Sequence, residues 1–228
     1  MNTPPQVRIR TLTLPEPGDR TAPPAAGALD DGCLDDGERA RADAFASPRA
    51  RLRYVTAHLA LRAVLAEYTG TDPARLRFGR DRPGGSDGRP RGRPVLLGFP
   101  QGPHFSLSHS HGLIMIAVAT APVGVDVQRE PPPGTVDAML PRLHPEEREG
   151  LLRLSPAGRT AAFTRLWTRK EAYLKGLGTG LARGPATDCL LEGARTPPPA
   201  DWHLRHVPAP PGYAAATAVA HRAPRDSP

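Results

Sequence analysis

The chain has 228 residues, 39% of them hydrophobic and 5% aromatic, and carries a formal net charge of +7. That length accommodates one large domain or two small fused ones. No apolar run is long enough to cross a bilayer and the opening MNTPPQVRIR has no apolar leader, so a cytoplasmic protein without membrane contact is expected. Cys33 and Cys189 are far apart and lack metal-type spacing, which argues against a disulfide framework or zinc site. The basic balance suits phosphates, nucleic acid or an acidic protein partner.

VRIRTLTL, from Val7 to Leu14, alternates like a strand. Glu16 to Gly32 reads as a Pro/Gly/Ala-rich loop, and a helical stretch begins near Asp35. Ser47-Pro48 has the form of an N-cap followed by proline at the first helical position. Leu52, Val55, Leu59, Leu61, Val64, Leu65 and Tyr68 then recur at helical spacing up to Gly70. Asp81 to Arg93 is a Gly/Pro/Arg-rich loop. His104–Ser108, Leu113–Thr120 and Val123–Gln128 read as strands, the first two joined by a tight turn at His111-Gly112.

Beyond Pro131-Pro132-Pro133 the pattern is helical again. His144-Pro145 opens one helix. Ser155-Pro156 opens another that runs to about Leu177, with Gly176, Gly178 and Gly180 at its end. Thr196 to Ala200 is a proline-rich connector, His203–Val207 and Tyr213–Ala220 are closing strands, and Arg222 to Pro228 is expected to be a disordered tail. The order implies an α+β fold of two halves, residues 1–120 and 121–228.

The chemistry concentrates in two segments. In WTRKEAYLKG (Trp167 to Gly176), Glu171 lies between Lys170 and Lys175, with bulky apolar residues around it. In GVDVQ (Gly124 to Gln128), strand alternation puts Asp126 and Gln128 on one face. Mg²⁺ takes one or two carboxylates plus substrate phosphates, so these residues fit a Mg²⁺–polyphosphate site. The plainer alternatives are a strand-end aspartate and a surface Glu171–Lys175 pair worth about 0.2–0.5 kcal/mol. FSLSHSHG (Phe105 to Gly112) adds Ser106, Ser108, His109, Ser110 and His111, able to bind pyrophosphate oxygens or simply to form a polar turn. Arg49, Arg51 and Arg53 open the first long helix as solvated charges or as a phosphate clamp.

In this order, FSLSHS, GVDVQ and WTRKEAYLKGLGTGL resemble the three motifs of Sfp-type 4′-phosphopantetheinyl transferases. The resemblance is strong from Phe105 to Leu181 and extends more loosely back to Glu38 through FASPRARLRYVTAHLALR and Gly92-Arg93-Pro94. It implies a pseudo-two-fold pair of α+β halves, each a small, mainly antiparallel sheet packed on helices, with coenzyme A in the cleft between them. The first half would hold the 3′-phosphate and adenine, the second the metal and pyrophosphate. By resemblance, Asp126 and Glu171 ligate Mg²⁺ or Mn²⁺, and Asp126, Glu171 and Lys175 form the catalytic set. Lys170 and Lys175 meet the pyrophosphate, with Ser108 and His109 opposite. Arg53 binds the 3′-phosphate, Arg41 is a further phosphate candidate, and Gly92, Arg93 and Pro94 line the adenine pocket. Many members carry a second acid where this chain has Gln128, which leaves the amide oxygen or a water for that position.

The implied reaction moves phosphopantetheine from coenzyme A to a serine of an acyl or peptidyl carrier protein of polyketide or nonribosomal peptide synthesis, releasing 3′,5′-ADP. Val136, Met139, Leu140 and Leu143 share a helical face, offered either to the carrier or to the core. A monomer is expected. Two rivals remain: a hydrolase built on Ser108, His109 and Asp126 but without a GxSxG elbow, and a nucleic-acid binder using Arg75 to Arg93 without a recognised motif.

Overall fold

The computed structural model describes residues 6–14, 31–82 and 92–221. β1 (Val7–Thr13) alternates half-buried and exposed residues over most of its length, as an edge strand covered on one face does. α1 (Asp36–Asp43) starts with a capping box in which Asp35 accepts from the Glu38 amide and Glu38 from the Asp35 amide. α2 (Pro48–Thr69) is capped by Ser47, opened by proline and closed by Gly70 at φ 63°. A short ribbon of β2 (Phe78–Arg80) and β3 (Pro94–Leu96) precedes β4 (His104–Ser110), β5 (Leu113–Ala119) and β6 (Val123–Arg129). After α3 (Pro133–Met139) and α4 (Pro145–Leu152) comes α5 (Pro156–Leu177), with Ser155 as N-cap and Gly178 at φ 71° as C-cap. β7 (Trp202–Val207) and β8 (Tyr213–Ala220) close the fold.

The two three-stranded sheets, β1-β5-β4 and β6-β8-β7, are antiparallel throughout. Each puts the last strand of its segment in the centre, and each is preceded or covered by a 22-residue Ser-Pro-initiated helix. Leu113, Met115 and Ala117 of β5 pack against Val123, Val125 and Val127 of β6, so the sheets share one apolar layer. α2 covers the outer face of the first sheet with Leu61, Val64 and Leu65 on Phe105, Ile116 and Val118. α5 covers the second with Phe163, Leu166 and Leu174 on Ala216 and Ala218. β5 is thus buried on both faces, which its unbroken apolar run LIMIAVA reflects.

Four expectations change or fall wholly or partly outside this description. The α3 face is core: Val136, Leu140 and Leu143 are 1%, 7% and 4% exposed, and Met139 packs on the same cluster. An amphipathic face needs only to be covered, and here the chain covers it itself, so these residues offer no docking surface. The expected loop 16–32 is described only from Asp31, the loop 81–93 only at its ends, and the tail 222–228 not at all. Among the described residues no helix is long and apolar enough to cross a membrane.

Candidate active site

β6 is held on its two edges by different means. One edge pairs with β8. On the other, the hydroxyls of Ser106, Ser108 and Ser110 accept the amides of Val125, Val127 and Arg129 at 3.1, 3.3 and 3.0 Å. Alternate serines on β4 therefore satisfy alternate donors on β6, which a buried edge requires. The Ser108 hydroxyl also donates to Asp126 Oδ1 at 2.7 Å.

α5 lies on β6 at glycine-to-helix distance. A Cβ on Gly124 would overlap the Ala172 carbonyl oxygen and sit 2.6 Å from the Gly176 nitrogen. A side chain on Gly176 would press into the Trp202 ring. This close approach sets Lys175 beside Asp126. Its Nζ donates to Asp126 Oδ1 at 2.7 Å and to the Val125 carbonyl at 3.2 Å.

Asp126 is 1% exposed, and its Oδ2 is buried without a hydrogen-bond partner. An orphaned buried oxygen costs about 1–3 kcal/mol, so a ligand for it is expected. Glu171 is close enough to feel that charge: burial first, then the Asp126 carboxylate, push its carboxyl above the usual range, with Lys175 opposing. Half-buried Gln128 lies two residues beyond Asp126 on the same strand face. Among the described residues no group of three or more His, Cys, Asp or Glu suited to a metal exists. Two carboxylates and an amide nevertheless form an oxygen set that Mg²⁺ accepts when substrate phosphates and waters complete it, and the orphaned oxygen fits that ion.

Beside this pair opens a cleft of about 740 Å³, walled by Tyr54, His58, Phe78, Arg93, Lys175 and Thr179 among others. His109, on β4, has its imidazole pushed down by partial desolvation, then by Arg53, with Lys175 and His58 adding to it. Arg53 and Lys175, the cations that act on His109, suit an anionic ligand nearby. Arg53 donates to the His111 carbonyl at 3.1 Å. Exposed Arg41 lies over the Phe45 ring at 5.5 Å. Gly92, Arg93 and Pro94 form the wall toward the end of α5: the Gly92 amide donates to the Gly178 carbonyl at 3.1 Å, and Asp81 pairs with Arg93 at 2.6 Å.

Two predicted phosphate ligands are engaged elsewhere. Lys170 points away from the cleft. Its side chain is 3% exposed, pairs with buried Glu147 at 2.7 Å and donates to the Pro185 and Asp188 carbonyls at 2.7 and 2.6 Å. Neighbours on a helix diverge by about 100°, so Lys170 cannot follow Glu171. Burial lowers its pKa even though Glu147 opposes this. Ser108 is likewise buried, with its hydroxyl given to Asp126 and Val127.

The same bond weakens the hydrolase rival, because the Ser108 proton is directed to a carboxylate and not to His109. Arginines of the 75–93 stretch bond to protein groups, Arg77 to the Ala74 carbonyl, Arg80 to that of Gly92, and Arg93 to Asp81. The residues sequence reasoning missed are Gly124, Gly176 and Glu147. Two small residues flanking acid-bearing positions were the available signal for the first two.

The fold is mixed α+β, with two carboxylates and a lysine brought together where α5 crosses β6. The profile of the 4′-phosphopantetheinyl transferase superfamily matches residues 122–218, from β6 almost to the end of β8. The 4′-phosphopantetheinyl transferase HetI of Nostoc sp. is 32% identical over 194 residues, covering 82% of this chain and 78% of that protein. A 4′-phosphopantetheinyl transferase of Bacillus subtilis is 32% identical over 130 residues, 57% of this chain and 54% of that one. The transferase Sfp of the same species is 25% identical over 122 residues, covering 54% and 50%. The chain belongs to the 4′-phosphopantetheinyl transferase superfamily.

Proposed function

We propose that this protein is an Sfp-type enzyme that transfers 4′-phosphopantetheine from coenzyme A to a serine hydroxyl of an acyl or peptidyl carrier protein. The observation that carries the reading is the orphaned Oδ2 of Asp126, near Glu171, in a carboxylate whose Oδ1 accepts from Lys175, a residue that lines the 740 Å³ cleft. Asp126 and Glu171 would hold Mg²⁺ or Mn²⁺, with Gln128 contributing its oxygen directly or through a water. When bound, the ion supplies charge neutralisation at the pyrophosphate. The 1–120 half, related to the 121–228 half by a pseudo-two-fold axis, would carry the nucleotide.

The chain's own residues do the rest by positioning and electrostatics, which dominate phosphoryl-type transfer. Arg53 receives the 3′-phosphate, with Arg41 at its margin, and His109 meets the pyrophosphate. Gly92, Arg93 and Pro94 border the adenine. Ser108 fixes the Asp126 carboxylate. The carrier serine oxygen forms the new bond to the phosphorus bearing the pantetheine arm as the bond to the bridging pyrophosphate oxygen breaks. Glu171 accepts the serine proton, directly or through a water. Lys175 stabilises the charge on the departing 3′,5′-ADP. The test is incubation with an apo carrier domain, coenzyme A and Mg²⁺, followed by mass spectrometry of the carrier. A phosphopantetheine gain that disappears in Asp126→Ala and Glu171→Ala is expected; no gain on several carriers refutes the reading.

A further inference from the structure

A second cavity, of about 400 Å³, lies where the N-terminal half of α5 faces the residue that follows β6. Its walls include Glu130, Ala161, Arg165, His206 and Tyr213. The placement follows from how α5 crosses β6. Gly124 meets Ala172 and Gly176, whereas Glu130 shares this cavity with Ala161 and Arg165, so the two elements run in opposite directions. Along α5 the order is Lys175 in the first cleft, Glu171, then Arg165, six residues or about 9 Å further on. Along β6 it is Asp126 and then Glu130, about 13 Å further on.

Entering and leaving oxygens lie roughly in line in phosphoryl transfer. A leaving nucleotide in the 740 Å³ cleft therefore requires the attacking hydroxyl to arrive from the side of Arg165. The charges there are named readily. Arg165 comes from α5. His206 from β7 stands opposite Ala216, which itself stands opposite Asp126. Arg169 is engaged with Glu192, and Glu192 also lies 3.5 Å from His206. Glu130 comes from the end of β6. Among the described residues no carboxylate pairs with exposed Arg165, although it occupies the sheet-facing stripe of α5 with Ala161, Thr168, Ala172 and Gly176.

Resting on the transferase reading, we propose that the cavity between Arg165 and His206 is the acceptor-side subsite, where a carboxylate of the carrier protein next to the modified serine pairs with Arg165. This subsite replaces the α3 face, which the core covers.

The test separates the two substrates. Steady-state transfer to an apo carrier domain is measured for wild type, Arg165→Glu and the milder Arg165→Gln, with coenzyme A affinity determined by calorimetry. A rise of about tenfold in carrier KM for Arg165→Glu, with coenzyme A affinity unchanged, is expected. A carrier whose acidic residues beside the serine are changed to lysine should regain affinity for Arg165→Glu. An unchanged carrier KM in both variants overturns the proposal, as does an equal loss of coenzyme A affinity, which would assign the cavity to the nucleotide. Wild-type protein that transfers nothing to any carrier refutes the transferase reading itself.

Discussion

Lys175 and Lys170 are five residues apart on one helix and have opposite fates. Lys175 is partly exposed at the cleft and bonds to Asp126. Lys175→Ala should lower kcat by about 10²–10³, the usual cost of removing one preorganised donor at a charge-developing centre. Stability should fall as well, because buried Asp126 loses its cation, so rapid-quench transfer assays belong on protein shown to be folded. Lys170→Met leaves Glu147 charged at 0% exposure, and should cost about 3–5 kcal/mol in urea unfolding. Transfer rate and unfolding free energy, measured on both variants, thus separate the proposed catalytic role of Lys175 from the buried pairing of Lys170. Sequence spacing brought Asp126, Glu171 and Lys175 into view because strand and helix periods put them on defined faces. Lys170 looked equally good, since nothing local reveals that Glu147 waits on another helix. The role of Ser108 was hidden for the same reason: the direction of a hydroxyl depends on which strand lies beside it.

At the scale of elements, the site depends on how near α5 comes to β6. Gly124→Ala places a methyl group into the helix backbone, where no side-chain rotation relieves the overlap. We expect about 1–3 kcal/mol of lost stability. A helix pushed outward also separates Lys175 from Asp126, so transfer activity should fall in protein that remains folded by circular dichroism. Full activity in Gly124→Ala would contradict this coupling. The long helices were legible because each carries its start and stop signals, Ser-Pro at one end and glycine at the other. The β2–β3 ribbon was not, because three residues are too few to show a period. The Val136–Leu143 stripe stayed open between carrier and core because periodicity reports that a stripe is covered without saying by what; its residues lie in the core.

For the whole molecule, acid should be destabilising even before carboxylates titrate. His58, His104, His109, His203 and His206 all have imidazoles pushed below the usual value, with desolvation as the leading cause in each. As pH falls through about 6.5, the unfolded chain takes up protons that these folded sites resist. The unfolded state then binds more protons, so stability declines from that pH downward until the folded values are passed. Urea midpoints at pH 7.5 and 5.5 check this; an equal or higher midpoint at pH 5.5 would refute it.

The serine seam gives β6 two kinds of amide. Even-numbered neighbours of the strand bond main chain to main chain, as Glu130 does to Gly212. Those of Val125, Val127 and Arg129 each depend on a single rotatable hydroxyl. In deuterium oxide the odd amides should therefore lose their protons sooner than the even ones, while both sheets stay intact. The strand that carries Asp126 is in this sense buttoned and not welded to its neighbour, and each button can be undone singly by changing one serine to alanine.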